Sequence, residues 1–158
     1  MPDLITHTAV AHLLRRPFER PSDPDAGATR TLFYLGTILP DILTRPWYIL
    51  IPATHDWTMA FHTPVGALLA CGLLALLFEP PLRKKAFLWL GGGSLLHFFL
   101  DGFQKQVVGN STWLFPLTWN DYGYGIAWSG EIMRLIPLWL ALVVVMEIIL
   151  FLRRKKVR

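Results

Sequence analysis

Residues 60–78 read AFHTPVGALLACGLLALLF, 19 residues without one Asp, Glu, Lys or Arg. A bilayer span needs about 20 mostly apolar residues, so this stretch decides the fold class. Next along the chain, residues 86–100 form a second apolar run, which reaches spanning length when continued through Phe103. Residues 135–152 form a third, with Glu147 as its one charge. Residues 31–52 form a fourth and less regular candidate, interrupted by Pro40-Asp41 and Arg45-Pro46, so a kink or a break is expected there. Residues 4–14 are apolar but number only 11. They read as an interfacial, re-entrant or buried helix, and not as a signal peptide, because Arg15-Arg16 follow the apolar stretch instead of preceding it. The expectation is an all-α fold: one domain over residues 1–158, an integral membrane helical bundle with about four membrane-embedded helices, a short N-terminal helix and a basic tail at 152–158.

Composition agrees. The chain is 53% hydrophobic and only 16% charged, with a mean hydropathy of +0.41. Soluble domains carry roughly 25% charged residues, and disorder needs low hydrophobicity and high net charge. Both classes are set aside. The single cysteine, Cys71, excludes an internal disulfide and a Cys-rich zinc motif.

The formal net charge is +4, and its placement matters more than its size. Arg83-Lys84-Lys85 stand between two apolar runs, and Arg153, Arg154, Lys155, Lys156 and Arg158 end the chain. After long apolar stretches such clusters set membrane topology, and no nucleic-acid partner is expected. Both clusters are expected on the cytoplasmic side of the bacterial inner membrane, with the C-terminus cytoplasmic and the chain multi-pass. Arg15, Arg16, Arg20 and Arg30 place the loop at 17–28 on that side too. The segment 102–130, with Trp113, Trp119, Tyr122, Tyr124 and Trp128, then faces the other compartment at the interface. No internal repeat is visible.

Ionisable side chains inside apolar segments are costly and usually functional. His97 and Asp101 are four apart on one helix and share a face. They are good ligands for zinc or a similar ion, or a buried hydrogen-bonded pair. Asp41 lies about 15 Å into the 31–52 segment, where it needs a cation or a donor, or caps a helix. His62 opens the 60–78 run, and His7 interrupts the first short helix. Together His7, Asp41, His62, His97 and Asp101 place mixed nitrogen and oxygen ligands at compatible depths, which favours a metal site. His12 and His55 read as surface or packing histidines. Glu147 reads as snorkelling or pairing with the basic tail, and Arg134 as structural. Lys105, one turn past Asp101, reads as an ordinary snorkelling lysine in preference to a substrate contact.

At these residues the chain resembles the bacterial inner-membrane metal-dependent hydrolases described as LexA-binding membrane hydrolases. The opening Met1-Pro2-Asp3-Leu4-Ile5-Thr6-His7-Thr8 is similar to that family's N-terminal histidine helix. Leu39-Pro40-Asp41-Ile42 resembles its Pro-Asp motif, and Phe61-His62-Thr63 its His-Ser/Thr element. Leu96-His97-Phe98-Phe99-Leu100-Asp101 resembles its His-x-x-x-Asp helix. Gly109 and Trp113-Leu114-Phe115-Pro116-Leu117 resemble the following loop. That family looks like a distant relative of zinc-dependent phospholipase C and the P1-type nucleases. The resemblance implies a helical metal site cleaving phosphoesters. Asp41, His62, His97 and Asp101 would hold one divalent ion, zinc foremost. His7, with Asp101 as a bridge and help from the N-terminal amine, would hold a second. The chain departs from the pattern in three places. No histidine follows His97, so a third ion is not expected. Met59-Ala60 stand where the family often has Arg-Gly, and Gln104 stands where Thr is common.

The function expected is therefore membrane-bound, metal-dependent hydrolysis of a phosphoester or lipid-linked substrate, with Asp41 or Asp101 orienting the attacking water or accepting its proton. Two rivals stand beside it: a non-catalytic membrane protein with a structural metal site, and a small transporter or ion pathway. LexA binding finds no support beyond the cationic ends. The sequence does not set an oligomeric state.

Overall fold

A computed structural model describes residues 4–20, 22–105, 112–118, 120 and 123–156. Met1, Pro2, Asp3, the N-terminal amine, Gly109, Trp119, Tyr122 and Arg158, all used in the sequence reading, lie outside the described residues. The described chain is mostly helical, as expected. Its α-helices are α1 (Leu4–Arg15), α2 (Ala26–Leu50), α3 (His55–Met59), α4 (Pro64–Ala75), α5 (Pro80–Gly102), α6 (Ser129–Met133) and α7 (Ile136–Lys156). Two two-residue strands, β1 (Gln104–Lys105) and β2 (Ala127–Trp128), pair in parallel and tie the segment after α5 to the start of α6.

The pair α2 and α5 is the centre of the fold. Helix α4 lies against α5, and α1 lies against α2 and α7. Small residues let the central pair meet backbone to backbone. A Cβ on Gly36 would stand 2.1 Å from the Leu90 carbonyl oxygen, and one on Gly93 would stand 2.1 Å from the Phe33 carbonyl oxygen.

Helix α2 runs unbroken through Pro40 and Pro46, where a kink or break was expected. Pro40 has no N–H to give the carbonyl of Gly36, four residues back. The Ser94 hydroxyl of α5 donates to that carbonyl instead, at 2.9 Å. The proline's cost is thus met by the neighbouring helix, and the same bond fixes the register of α5 on α2.

The 60–78 run begins as a turn, and its helix starts only at Pro64. Thr63 caps that helix by accepting from the Gly66 N–H at 3.0 Å, with Pro64 in the first turn where no N–H is needed. Arg83, Lys84 and Lys85 lie on the first turns of α5, not in a connecting loop.

Helix α7 is long and apolar enough to cross a membrane, with a mean hydropathy of 2.3 over Ile136–Lys155. The pair Pro52–Met59 and Pro64–Ala75, bent by 85°, would make a second candidate if counted as one broken span.

The interior is polar. Apart from Leu90 and Phe98, the buried hydrophobic residues are alanines and Cys71, while His7, Thr37, Asp41, Thr44, Thr63, Ser94, His97 and Asp101 are all buried. Leucines such as Leu69, Leu73, Leu77 and Leu88 point outward, each more than half exposed.

His12 and Glu147 do not follow the sequence reading. His12 Nε2 donates to Glu147 Oε1 at 3.0 Å, and its Nδ1 meets the Tyr34 hydroxyl at 2.6 Å. Arg16 Nε donates to the same Glu147 oxygen at 2.7 Å. Glu147 therefore pairs with α1 and the turn after it. The Glu147 hydrogen bond also raises the pKa of Arg16 above the usual arginine value.

Candidate metal centre

The five residues singled out in the sequence come together in space. Asp41 comes from the middle of α2, His97 and Asp101 from the C-terminal half of α5, and His7 from α1. His62 comes from the turn before α4. A Cβ on Gly66 would stand 2.0 Å from the Ala60 carbonyl oxygen. Only glycine lets the turn fold that closely over the helix start, which carries the His62 ring to α5.

His97 is oriented by α2. Its Nδ1 lies 2.9 Å from the carbonyl oxygen of Thr37. A carbonyl can only accept, so Nδ1 donates to it and Nε2 is turned inward. That nitrogen lies 3.2 Å from His62 Nε2, 3.3 Å from Asp101 Oδ2 and 3.9 Å from Asp41 Oδ1. His62 Nε2 in turn lies 3.3 Å from Asp41 Oδ1 and 3.6 Å from Asp101 Oδ2. His7 Nε2 lies 3.2 Å from Asp101 Oδ1.

These separations can be compared with what an ion requires. Ligand bonds of 2.0–2.2 Å around a tetrahedral zinc put the ligand atoms about 3.3–3.6 Å apart. Around His62 Nε2 and His97 Nε2 the approaches of Asp41 Oδ1 and Asp101 Oδ2 are of that size at 3.3–3.6 Å, except His97 to Asp41, which is longer at 3.9 Å. The other oxygen of Asp101 faces His7, so the carboxylate is placed to bridge. Two triads are close enough to share an ion, His7 with His97 and Asp101, and Asp41 with His62 and His97.

Alignment points the same way. Both oxygens of Asp101 and Oδ1 of Asp41 are buried and receive no aligned hydrogen bond from the described residues, although imidazole nitrogens crowd around them. Donor atoms that sit close without pointing at each other are what a shared cation produces. Charge supports it too. Two carboxylates are buried here, and the ion pair from Arg45 Nη2 to Asp41 Oδ2, at 2.7 Å, offsets only one. Such a charge in a dry site calls for a cation. The residues present fit a divalent metal.

Four of the five candidate residues are 2% exposed or less, and His62 is 9% exposed. Asp41 sits inside α2 and not at its start, so the capping role is not the one it takes. Phe98 packs edge-on against the rings of both His62 and His97, at 5.4 and 5.5 Å. Trp113 lies 6.3 Å beyond Phe98.

Arg45 was missed in the sequence as a partner of the site. The signal was present: Asp41 and Arg45 are four apart and share a helix face. Lys105 lies on β1, exposed, with Nζ 5.5 Å from the Trp128 ring. His55 is exposed and pairs with its neighbour Asp56.

Comparisons of the chain with protein-family models, with curated proteins and with solved structures find no match.

Proposed function

We propose that the protein is a membrane-embedded, metal-dependent hydrolase that acts on a phosphoester or other lipid-linked substrate. The observation that carries this reading is the convergence of three imidazoles and two carboxylates at ligand spacing within a polar interior. Asp41, His62, His97 and Asp101 would hold one divalent ion, zinc foremost, and His7 a second through Asp101. The metal would polarise the scissile oxygen and acidify a water. Asp41 and Asp101 are placed to orient that water and to accept its proton. Arg45, at the edge of the site, pairs with Asp41 Oδ2 and would face an anionic group.

The membrane part of the proposal rests on the inverted burial, polar inside and leucine outside. In water such a surface would be an interaction or aggregation hazard. The bundle we propose has four embedded elements: α2, the α3–α4 broken pair, α5 and α7. The basic clusters gather at one end, where Lys85 pairs with Asp25 and the 153–155 tail lies near Arg16, Arg20 and Arg30. That end would face the cytoplasm of a bacterial inner membrane. Asp41 lies 11 residues beyond Arg30 on α2, about 16 Å along the axis, so the site would sit in the interior of the bilayer, away from the basic end.

A structural metal site is the second reading, favoured by the near-complete burial of four ligands, since structural sites are closed and catalytic ones stay open. Hydrolysis assays separate the two. The purified protein should cleave bis-p-nitrophenyl phosphate or a short-chain phospholipid in a metal-dependent way. His62→Ala, at the most exposed ligand, should abolish that activity while the protein stays folded. A metal-loaded protein inert towards phosphomonoesters, phosphodiesters and phospholipids would favour the structural reading.

A further inference from the structure

A second site lies at the N-terminal end of α2, about 22 Å along the helix from Asp41. An open cleft of about 880 Å³ is bounded by Arg16, Arg20, Arg30, Arg153, Arg154 and Lys155. Glu19 is the one acid among its lining residues. Its carboxylate is already held by Arg16 and Arg30, each at 2.8 Å, and its side chain is 3% exposed. Arg16 also serves Glu147. Lys155 Nζ stands 5.3 Å over the Phe151 ring, and among the described residues the exposed Arg20, Arg153 and Arg154 face the cleft without an acidic partner.

The floor of the cleft favours the same class of ligand. Ala26 and Gly27, the first residues of the 25-residue helix α2, line it. The N-cap residue is Asp25, whose carboxylate does not cap the helix and is paired with Lys85, and no acidic residue stands in the first turn. A Cβ on Gly27 would meet nothing within 4 Å, so the backbone is open to the cleft. The Ala26 N–H is taken by the Asp23 carbonyl at 3.2 Å, while the N–H groups after it have no side-chain cap, which suits a phosphoryl oxygen.

The third observation is depth. Ile136–Lys155 spans 20 residues, about 30 Å, which is the thickness of a hydrocarbon core. Arg153, Arg154 and Lys155 then stand at headgroup level, directly below Leu150 and Phe151, which also line the cleft. Phe151 is 59% exposed and Phe18, on the turn after α1, is 80% exposed. The cleft is cationic at one level and apolar at the next.

We propose that this cleft is a phosphoryl-anion site filled by the headgroup of an anionic phospholipid, with Leu150 and Phe151 against its acyl chains. Basic pockets between helices on the cytoplasmic side of a membrane suit such headgroups. The inference rests on the membrane placement proposed above, and is independent of the hydrolase chemistry.

Native mass spectrometry of the detergent-solubilised protein tests it, with phosphatidylglycerol and phosphatidylcholine of matched chains as probes. The wild type should retain phosphatidylglycerol in preference. At about fivefold per cation near the surface, the triple variant Arg20→Gln, Arg153→Gln, Arg154→Gln should weaken retention on the order of a hundredfold. Arg83→Gln with Lys84→Gln removes charge outside the cleft and should weaken it far less. Should the triple variant not fold, Arg154→Gln alone reads the same site at about fivefold. Equal retention of the two lipids, or equal losses in the cleft and control variants, would overturn the proposal. Displacement of the lipid by millimolar inorganic phosphate would identify the free anion as ligand and overturn the lipid assignment. Alkaline carbonate extraction reads the membrane placement separately. Release into the supernatant removes that placement, whereas a membrane-retained protein without lipid preference removes only this inference.

Discussion

Substituting Gly36 by alanine should empty the metal centre without touching a ligand. The Cβ would stand 2.1 Å from the Leu90 carbonyl oxygen, and 2.8 and 2.9 Å from the carbonyl carbon and Cα of the same residue. All three atoms are backbone of α5, so no side chain can swing aside. Relief requires α2 and α5 to part by about 1 Å near Gly36, at a cost of about 1–3 kcal/mol for an overfilled interface. Asp41 rides on α2, and His97 and Asp101 ride on α5. Across the two helices, His97 Nε2 to Asp41 Oδ1 is already 3.9 Å. A further 1 Å takes it well past the roughly 3.3–3.6 Å that a tetrahedral ion spans. The assay is metal content by inductively coupled plasma mass spectrometry beside a thermal melt. Gly92→Ala is the control, because its Cβ would meet only the Phe33 ring at 3.6 Å. It should keep full metal content and gain slightly from helix propensity. Gly36→Ala that binds metal and melts like the wild type would refute the idea that this backbone contact sets the site.

Ser94→Ala should destabilise the protein by about 1–3 kcal/mol, since it leaves the Gly36 carbonyl under Pro40 without its donor; a melt unchanged from wild type would contradict that role. His12→Ala should leave metal content intact, because His12 faces Tyr34 and Glu147 and not the metal ligands. Its effect on stability should stay within about 1 kcal/mol for a partly exposed pair, and loss of metal would show that the two clusters are coupled.

The helical class, and five candidate residues that the fold brings together, were legible because their signals are local. An apolar run announces a helix, and a histidine and an aspartate four apart announce a shared face, as His97 and Asp101 do. What was not legible depends on contacts between distant helices. Pro40 looked like a break because the sequence alone gives no donor for the Gly36 carbonyl, and that donor, Ser94, lies 58 residues away. Glu147 looked like a snorkelling residue because its partners His12 and Arg16 stand at the far end of the chain. The 60–78 run is uncharged throughout, but its helix starts only where the Thr63 cap and Pro64 set the boundary. Arg45 was within reach of the spacing rule that paired His97 with Asp101.

The central claim is that His7, Asp41, His62, His97 and Asp101 hold a divalent ion. The most direct measurement is the metal content of the wild-type protein, purified without chelator, beside Asp101→Ala. Asp101 presents one oxygen to His97 and His62 and the other to His7, so its loss removes the carboxylate that faces all three imidazoles. The account predicts about one to two equivalents of zinc or a similar ion in the wild type and a large loss in the variant. Under about one-tenth of an equivalent in well-folded wild type would contradict it, because so buried a ligand set should not release its ion during purification.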